Sequence, residues 1–305
     1  MSLRLMAAAA LCAAVAVVHA DPPAPPRAAA KTTAAPTPLK AKNAAAAAKA
    51  APSKPKPPAH DPAAARIFEM NGLGEVTVYA PHGQARGLAL FASGDGGWNL
   101  GVWDMAHEAA DLGYWVAGFS TPTFLKTLES DSASCSDAAQ LLDRIGDKVK
   151  AEMKLPAQFR PVLIGYSSGA TIAYAALAQA GDARFGGAMT LGFCPDLIIH
   201  KPFCEGAGGL TATKMPKPPY TPIFNTVREV KSPWIVLQGE IDQVCNPPDT
   251  VAFVDKVRGG HVVSLPHVGH GFSVPKNWMP QYRQGLAELL DGAAAPRAAS
   301  GGASP

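Results

Sequence analysis

Seven runs of the chain are largely apolar, and amphipathic stretches separate several of them. The runs are "EVTVYA" (75–80), "GLALFAS" (87–93), "YWVAGFS" (114–120), "PVLIGYS" (161–167), "FGGAMTLGF" (185–193), "SPWIVLQG" (232–239) and "HVVSLP" (261–266). Strands with little polar alternation need cover on both faces, which is the usual condition of a parallel sheet. The covering layers are legible as well. In "CSDAAQLLDRIGDKVKAEM" the residues Ala138, Leu141, Leu142, Ile145, Val149 and Met153 recur at helical spacing. Ser134, three residues before Asp137, is the expected cap of that helix. Near the C-terminus Trp278, Tyr282, Leu286, Leu289 and Leu290 share one helical face. The alternation predicts an α/β domain with a mostly parallel central sheet and helices on both faces. The span from Pro195 to Lys231 breaks the rhythm and is rich in Pro and Gly. It reads as an insertion over the strand ends, where such sheets bind their ligands.

The 305 residues suffice for one large domain. Residues 1–20 open with Arg4, continue with the apolar "LMAAAALCAAVAVV" and end in Val18-His19-Ala20. This is the pattern of a secretory signal peptide, too short for a spanning helix. Leu11 before Cys12 matches a lipoprotein signal poorly, so no lipid anchor is expected. Residues 21–65 are mainly Ala, Pro and Lys without apolar periodicity, and they read as a disordered linker. Seven basic residues there (Arg27, Lys31, Lys40, Lys42, Lys49, Lys54 and Lys56) face Asp21 and Asp61, a net +5. The chain as a whole is +3, and Arg4 leaves with the signal, so everything after the linker, residues 66–305 with the expected folded part at 66–291, is net −3. Residues 292–305 read as a disordered tail. The basic character therefore belongs to the linker, which argues against a nucleic-acid-binding domain. The linker can touch anionic lipid, at about 1 kcal/mol per surface-bound Lys or Arg. The alternative is a charged spacer.

Four cysteines remain after Cys12, namely Cys135, Cys194, Cys204 and Cys245. An even number in an exported chain predicts two disulfides, with three possible pairings. Cys194 and Cys204 lie ten apart within one loop and are expected to pair, leaving Cys135 for Cys245. No Cys-x-x-Cys or His-x-x-x-His spacing points to a metal site, and no cofactor is expected.

The fourth apolar run ends in Gly165-Tyr166-Ser167-Ser168-Gly169, and a helical pattern follows at once. Gly-x-Ser-x-Gly between a strand and a helix is the nucleophile elbow of the α/β-hydrolase fold. Ser167 is the expected nucleophile. A serine needs a base, and the base needs an orienting carboxylate, in the chain order Ser, acid, His. Asp242 follows the strand "WIVLQG", and His270 lies in a Gly-His-Gly setting after "HVVSLP". Glu240 and His267 are the alternatives for the two roles. The oxyanion donors are expected from the N–H of Ser168 and from Asp95 or Gly96 in "SGDGGW", where glycines leave backbone N–H groups unshielded. No Gly-Lys-Ser/Thr follows those glycines, so they are not a phosphate loop.

The apparent signal peptide, "SGDGGWN", "LIGYSSGA" and "GFCPD" together resemble the bacterial virulence protein VirJ and the related AcvB domain over roughly residues 70–290. The resemblance implies an exported, periplasmic α/β-hydrolase-fold protein associated with hydrolysis of lysyl-phosphatidylglycerol, in a family first linked to virulence and type IV secretion. By motif it places the nucleophile at Ser167 and the oxyanion loop at Ser93 to Trp98, with Asp242 and His270 as acid and base. The stretch "GFSTPTFLKTLESD" departs from the aromatic, basic motif that family members carry there. A lipid or small ester is the substrate class implied. A general periplasmic carboxylesterase and a non-catalytic partner of a secretion system are the alternatives on the same scaffold.

Overall fold

A computed structural model of the chain describes residues 60–216 and 221–294. The expected signal peptide, most of the linker and nearly all of the tail lie outside the described residues. All seven apolar runs form strands: β2 (Gly74–Tyr79), β3 (Gly87–Ala92), β4 (Tyr114–Phe119), β5 (Val162–Tyr166), β6 (Gly187–Leu191), β9 (Glu229–Gly239) and β10 (Arg258–Leu265). An eighth strand, β1 (Arg66–Met70), joins them. Its sequence "RIFEM" is only part-buried at the sheet edge, so it carries no apolar run to announce it. The sheet order is β1-β2-β4-β3-β5-β6-β9-β10, antiparallel at β1–β2–β4 and parallel from β4 to β10.

Successive residues of a strand point to opposite faces, and the two faces meet different helices. Leu88 and Leu90 of β3 join one core layer with helices α2 (Thr121–Ser130), α3 (Ala138–Met153) and α4 (Ser168–Ala180). Ala89 and Phe91 join the other with α1 (Leu100–Asp111) and α6 (Met279–Ala294). Each fully buried Leu or Phe contributes about 1.5–3 kcal/mol relative to exposure. The expected face of the last helix (Trp278, Tyr282, Leu286, Leu289 and Leu290) is buried throughout. Helix α4 is buried nearly all round, as a helix in the centre of a layer must be. No helix among the described residues is long and apolar enough to cross a membrane.

Three expectations need correction. The cap of α3 is Asp137, whose side chain accepts from the Gln140 N–H at 2.8 Å, not Ser134. Cys135 is held in a disulfide, and Ser136 N–H bonds to the Pro202 carbonyl at 2.7 Å, so the chain is extended there and the helix cannot start earlier. The disulfides are Cys135–Cys204 and Cys194–Cys245, with Cα separations of 4.9 and 5.1 Å. Nearness in sequence was the wrong guide. Cys194 follows β6 and Cys245 follows β9, and these strands are sheet neighbours. Cys135 and Cys204 meet because Ser136 and Phe203 form a short parallel bridge. Finally, the packed chain begins before residue 66. The buried Asp61 carboxylate accepts from Tyr79 Oη at 3.0 Å and from Ala63 N–H at 2.9 Å, and lies 2.7 Å from His107 Nε2.

Of the Pro- and Gly-rich span, Asp196, Leu197 and Ile198 reach the strand end at which Ser167 stands, while Cys204, Asn225 and Val227 contact helix α4 through Gln179 and Tyr174. Within its described part the span holds a hairpin of β7 (Ala212–Lys214) and β8 (Pro222–Phe224). Helix α5 (Pro247–Val254) lies between β9 and β10.

Candidate active site

Ser167 sits between β5 and α4 with φ 55° and ψ −122°. A non-glycine residue adopts such a conformation only when its surroundings impose it. The two flanking glycines show how. A Cβ on Gly165 would lie 2.7 Å from Ala170 Cα, and one on Gly169 would lie 2.7 Å from the Ala92 carbonyl carbon. The turn is therefore packed backbone to backbone against the end of β3, and the Ser167 N–H is held by the Leu191 carbonyl at 2.9 Å.

The loops after β9 and β10 bring two further residues to this point. His270 Nε2 lies 2.9 Å from Ser167 Oγ, and His270 Nδ1 lies 2.9 Å from Asp242 Oδ2. The Asp242 side chain is fully buried and that of His270 part-buried, at 0% and 17% exposure. Burying a carboxylate is costly unless its lone pairs are satisfied. Here Oδ1 accepts from the N–H groups of Val244 (2.8 Å) and Cys245 (2.9 Å), and Gln238 Nε2 lies 3.3 Å from Oδ2. A carboxylate on Nδ1 favours the tautomer with its proton there, leaving Nε2 free to accept from the serine hydroxyl.

Of the paired candidates, the structure joins Asp242 and His270. Glu240 is exposed on the turn after β9, and its N–H bonds to the Leu265 carbonyl. His267 is exposed in the left-handed region at φ 59°. Sequence reasoning passed over Tyr166. Its hydroxyl donates to the His270 carbonyl at 3.0 Å, and its ring lies 5.8 Å from the imidazole. Burial, with the Asp242 charge adding to it, pushes the Tyr166 hydroxyl above its ordinary pKa, so it stays a neutral donor. The only sequence signal was an aromatic residue at the variable position of the elbow.

A cavity of about 140 Å³ opens at Ser167. Asp95 and Ser168 line it, and Gly96 does not. Ser168 is the first residue of α4, a position whose N–H has no intrahelical acceptor. Asp95 is exposed on the turn closed by Gly97 N–H and the Gly94 carbonyl at 3.0 Å. Leu125, Leu197, Ile198 and Val244 supply apolar wall, and Asp196 a second carboxylate. Among the described residues, one group of donor atoms lies close enough to be weighed as a metal site: Asp242, Cys245 and His270, within 4.8 Å of one another. The set does not suit a metal. The Cys245 sulfur is bonded to Cys194 and cannot be a thiolate, while Asp242 and His270 hold each other.

No protein-family profile matches the chain, and no curated protein matches its sequence. Solved structures do match its architecture. A thermophilic esterase from the planctomycete Thermogutta terrifontis, with propionate bound, superposes with a TM-score of 0.51 at 15% identity. The match covers 77% of this chain and 97% of that one. The fold is that of the α/β-hydrolases. Esterase 2 of the same organism, phosphoramylated by tabun, gives a TM-score of 0.52 at 14% identity, over 79% of this chain and 100% of that one. Against this fold, the α/β-hydrolase elements sit in their usual places. The elbow follows a central strand, and Asp242 and His270 follow strands on its far side.

Proposed function

We propose that the protein is a serine ester hydrolase. The observation that carries this is the unbroken chain of contacts from Asp242 through His270 to a strained Ser167 at the floor of a cavity. In this reading Ser167 Oγ attacks the ester carbonyl while His270 Nε2 takes its proton. The N–H groups of Ser168 and Asp95 hold the developing oxyanion. The C–O bond then breaks, and His270 returns the proton to the departing alcohol. Water, deprotonated by His270, attacks the acyl-enzyme, releasing the acid and restoring Ser167.

The substrate we propose is an aminoacyl ester of a membrane lipid, lysyl-phosphatidylglycerol, cut to lysine and phosphatidylglycerol in the periplasm. The motifs shared with VirJ and AcvB support it. So does the cavity, whose lining includes Asp95 and Asp196 and no Lys or Arg. A dicationic lysyl group would meet a favourable field there. The cavity is smaller than a typical site for a whole ligand, which suits an acyl group bound with the rest of the lipid outside. Two disulfides fit an exported protein.

The test pairs two measurements. A fluorophosphonate probe should label the chain at Ser167 and fail on Ser167→Ala; no labelling would favour a non-catalytic binding protein. Lysyl-phosphatidylglycerol in mixed micelles and p-nitrophenyl acetate are then offered side by side. Rapid cleavage of the second with none of the first would leave a general carboxylesterase.

A further inference from the structure

Among the described residues the large hydrophobic side chains that stand exposed are Ile198, Ile241, Val244 and Val274. All four lie on the loops that follow β6, β9 and β10. The last two of these loops also carry Asp242 and His270 to Ser167. Ile198 and Val244, 66% and 67% exposed, are at the same time walls of the nucleophile's cavity. Exposed aliphatic residues scattered over a surface need no explanation. Their gathering on loops at one end of the sheet, with two of them on the rim of one cavity, does. The Cys194–Cys245 disulfide ties the loop of Ile198 to that of Val244, so neither can fold away from the other.

A second observation concerns where the chain enters. His60, the first described residue, lies beside Glu75, with Nδ1 to Oε2 at 3.8 Å. Glu75 precedes Val76, which pairs with Phe119 at the carboxyl end of β4. That end of the sheet is the one at which Ser167 stands, since β4, β3 and β5 run parallel. Residues 21–59, just upstream, hold seven Lys and Arg against Asp21 alone.

We propose that the rim is a docking surface for an anionic lipid bilayer, with the aliphatic side chains entering the headgroup boundary and the upstream basic segment holding the domain in place. The proposal rests on reading the site as an ester hydrolase and narrows its substrates to esters presented at a bilayer. The rim is continuous with the Ser167 cavity, so whatever covers it must leave that cavity supplied. A second copy of the chain seated there would close the mouth, whereas a bilayer delivers substrate into it. The two features also need each other. The acidic folded part is repelled by an anionic surface, and a single weak anchor gives only marginal, reversible binding.

The experiment uses the chain carrying Ser167→Ala, so that lipid is not consumed, sedimented with phosphatidylglycerol/phosphatidylcholine vesicles. Adding Ile241→Ser and Val274→Ser should weaken partition about tenfold or more. Val274→Trp should strengthen it, because Trp favours the membrane interface. Circular dichroism confirms that each variant is folded. Two results would overturn the proposal. One is unchanged partition of both variants, with about 0.5 M NaCl releasing all of them, which would make the basic segment the sole anchor. The other is absence of vesicle binding together with a shift from dimer to monomer in the Ser variant, which would make the rim a contact between copies. If vesicle binding behaves as expected while the Ser167 chain neither takes the fluorophosphonate probe nor cleaves esters, the docking surface stands and the hydrolase reading falls.

Discussion

Replacing Gly169 by Ala adds one methyl group at the point where the elbow touches the end of β3. That methyl would sit 2.7 Å from the Ala92 carbonyl carbon and within the van der Waals radii of the Ala92 and Ser93 carbonyl oxygens. Carbon atoms in packed protein rest about 3.5–4.0 Å apart, so strand and helix must separate by roughly 1 Å. Both neighbours are backbone, and no rotamer change can relieve the contact. Overpacking of this kind costs about 1–3 kcal/mol. For a domain of this size that lowers Tm by roughly 3–10 °C. The catalytic effect should be larger than the loss of stability implies. Ser93 and Gly94 lead directly into Asp95, so the shift moves the expected oxyanion donor away from Ser167. A displacement of about 1 Å can reduce turnover about a hundredfold. The assay is kcat/KM on p-nitrophenyl acetate for Gly169→Ala beside the parent chain, with melting followed by circular dichroism. Gly269→Ala is the control, since its nearest neighbour for an added Cβ is 3.7 Å away. Parental turnover and Tm in Gly169→Ala would refute the argument.

Ser167→Ala should keep the fold and lower kcat by about four orders of magnitude or more; near-parental turnover would remove Ser167 from the nucleophile's role. His270→Ala should abolish turnover while His267→Ala spares it, and the reverse would reassign the base. Peptide mapping of unreduced protein should recover Cys135–Cys204 and Cys194–Cys245. Replacing the second pair by Ser should cost up to about 4 kcal/mol from its long closed loop and slow turnover by loosening the loop that carries Asp242; a Cys194–Cys204 peptide would contradict the structure. Buried Tyr174, whose hydroxyl is bonded to the Asn225 carbonyl, has its pKa pushed up to about 12, chiefly by burial. The unfolded chain releases that proton near pH 10, so above pH 10 the unfolded state binds fewer protons and stability falls. The loss from this residue approaches roughly 3 kcal/mol by pH 12, and a denaturation midpoint that stays flat across this range would count against it.

Much of the architecture is local information and was legible in the sequence. A run such as "PVLIGYS" is apolar over a length only a covered strand can use, and the Ala138–Met153 spacing marks one face of a helix. The elbow was legible for the same reason, because a serine forced into φ 55° needs glycine on both sides within five residues. Tertiary structure decided the rest. β1 and α2 went unseen because edge strands and short half-polar helices carry weak patterns. The Gly-His-Gly setting in "PHVGHGF" favoured His270 over His267, and the turn after "WIVLQG" favoured Asp242 over Glu240, but the sequence left both alternatives open. The distinction lies in which loop positions face β5 once β6, β9 and β10 are laid beside it. The disulfides follow the same rule: Cys194 pairs with Cys245 across 51 positions because β6 and β9 are neighbours. Periodicity and turn chemistry act over a few residues and leave their mark in the chain itself. Contacts between strand ends depend on the order of strands in the sheet, and that order is set by packing of the whole domain.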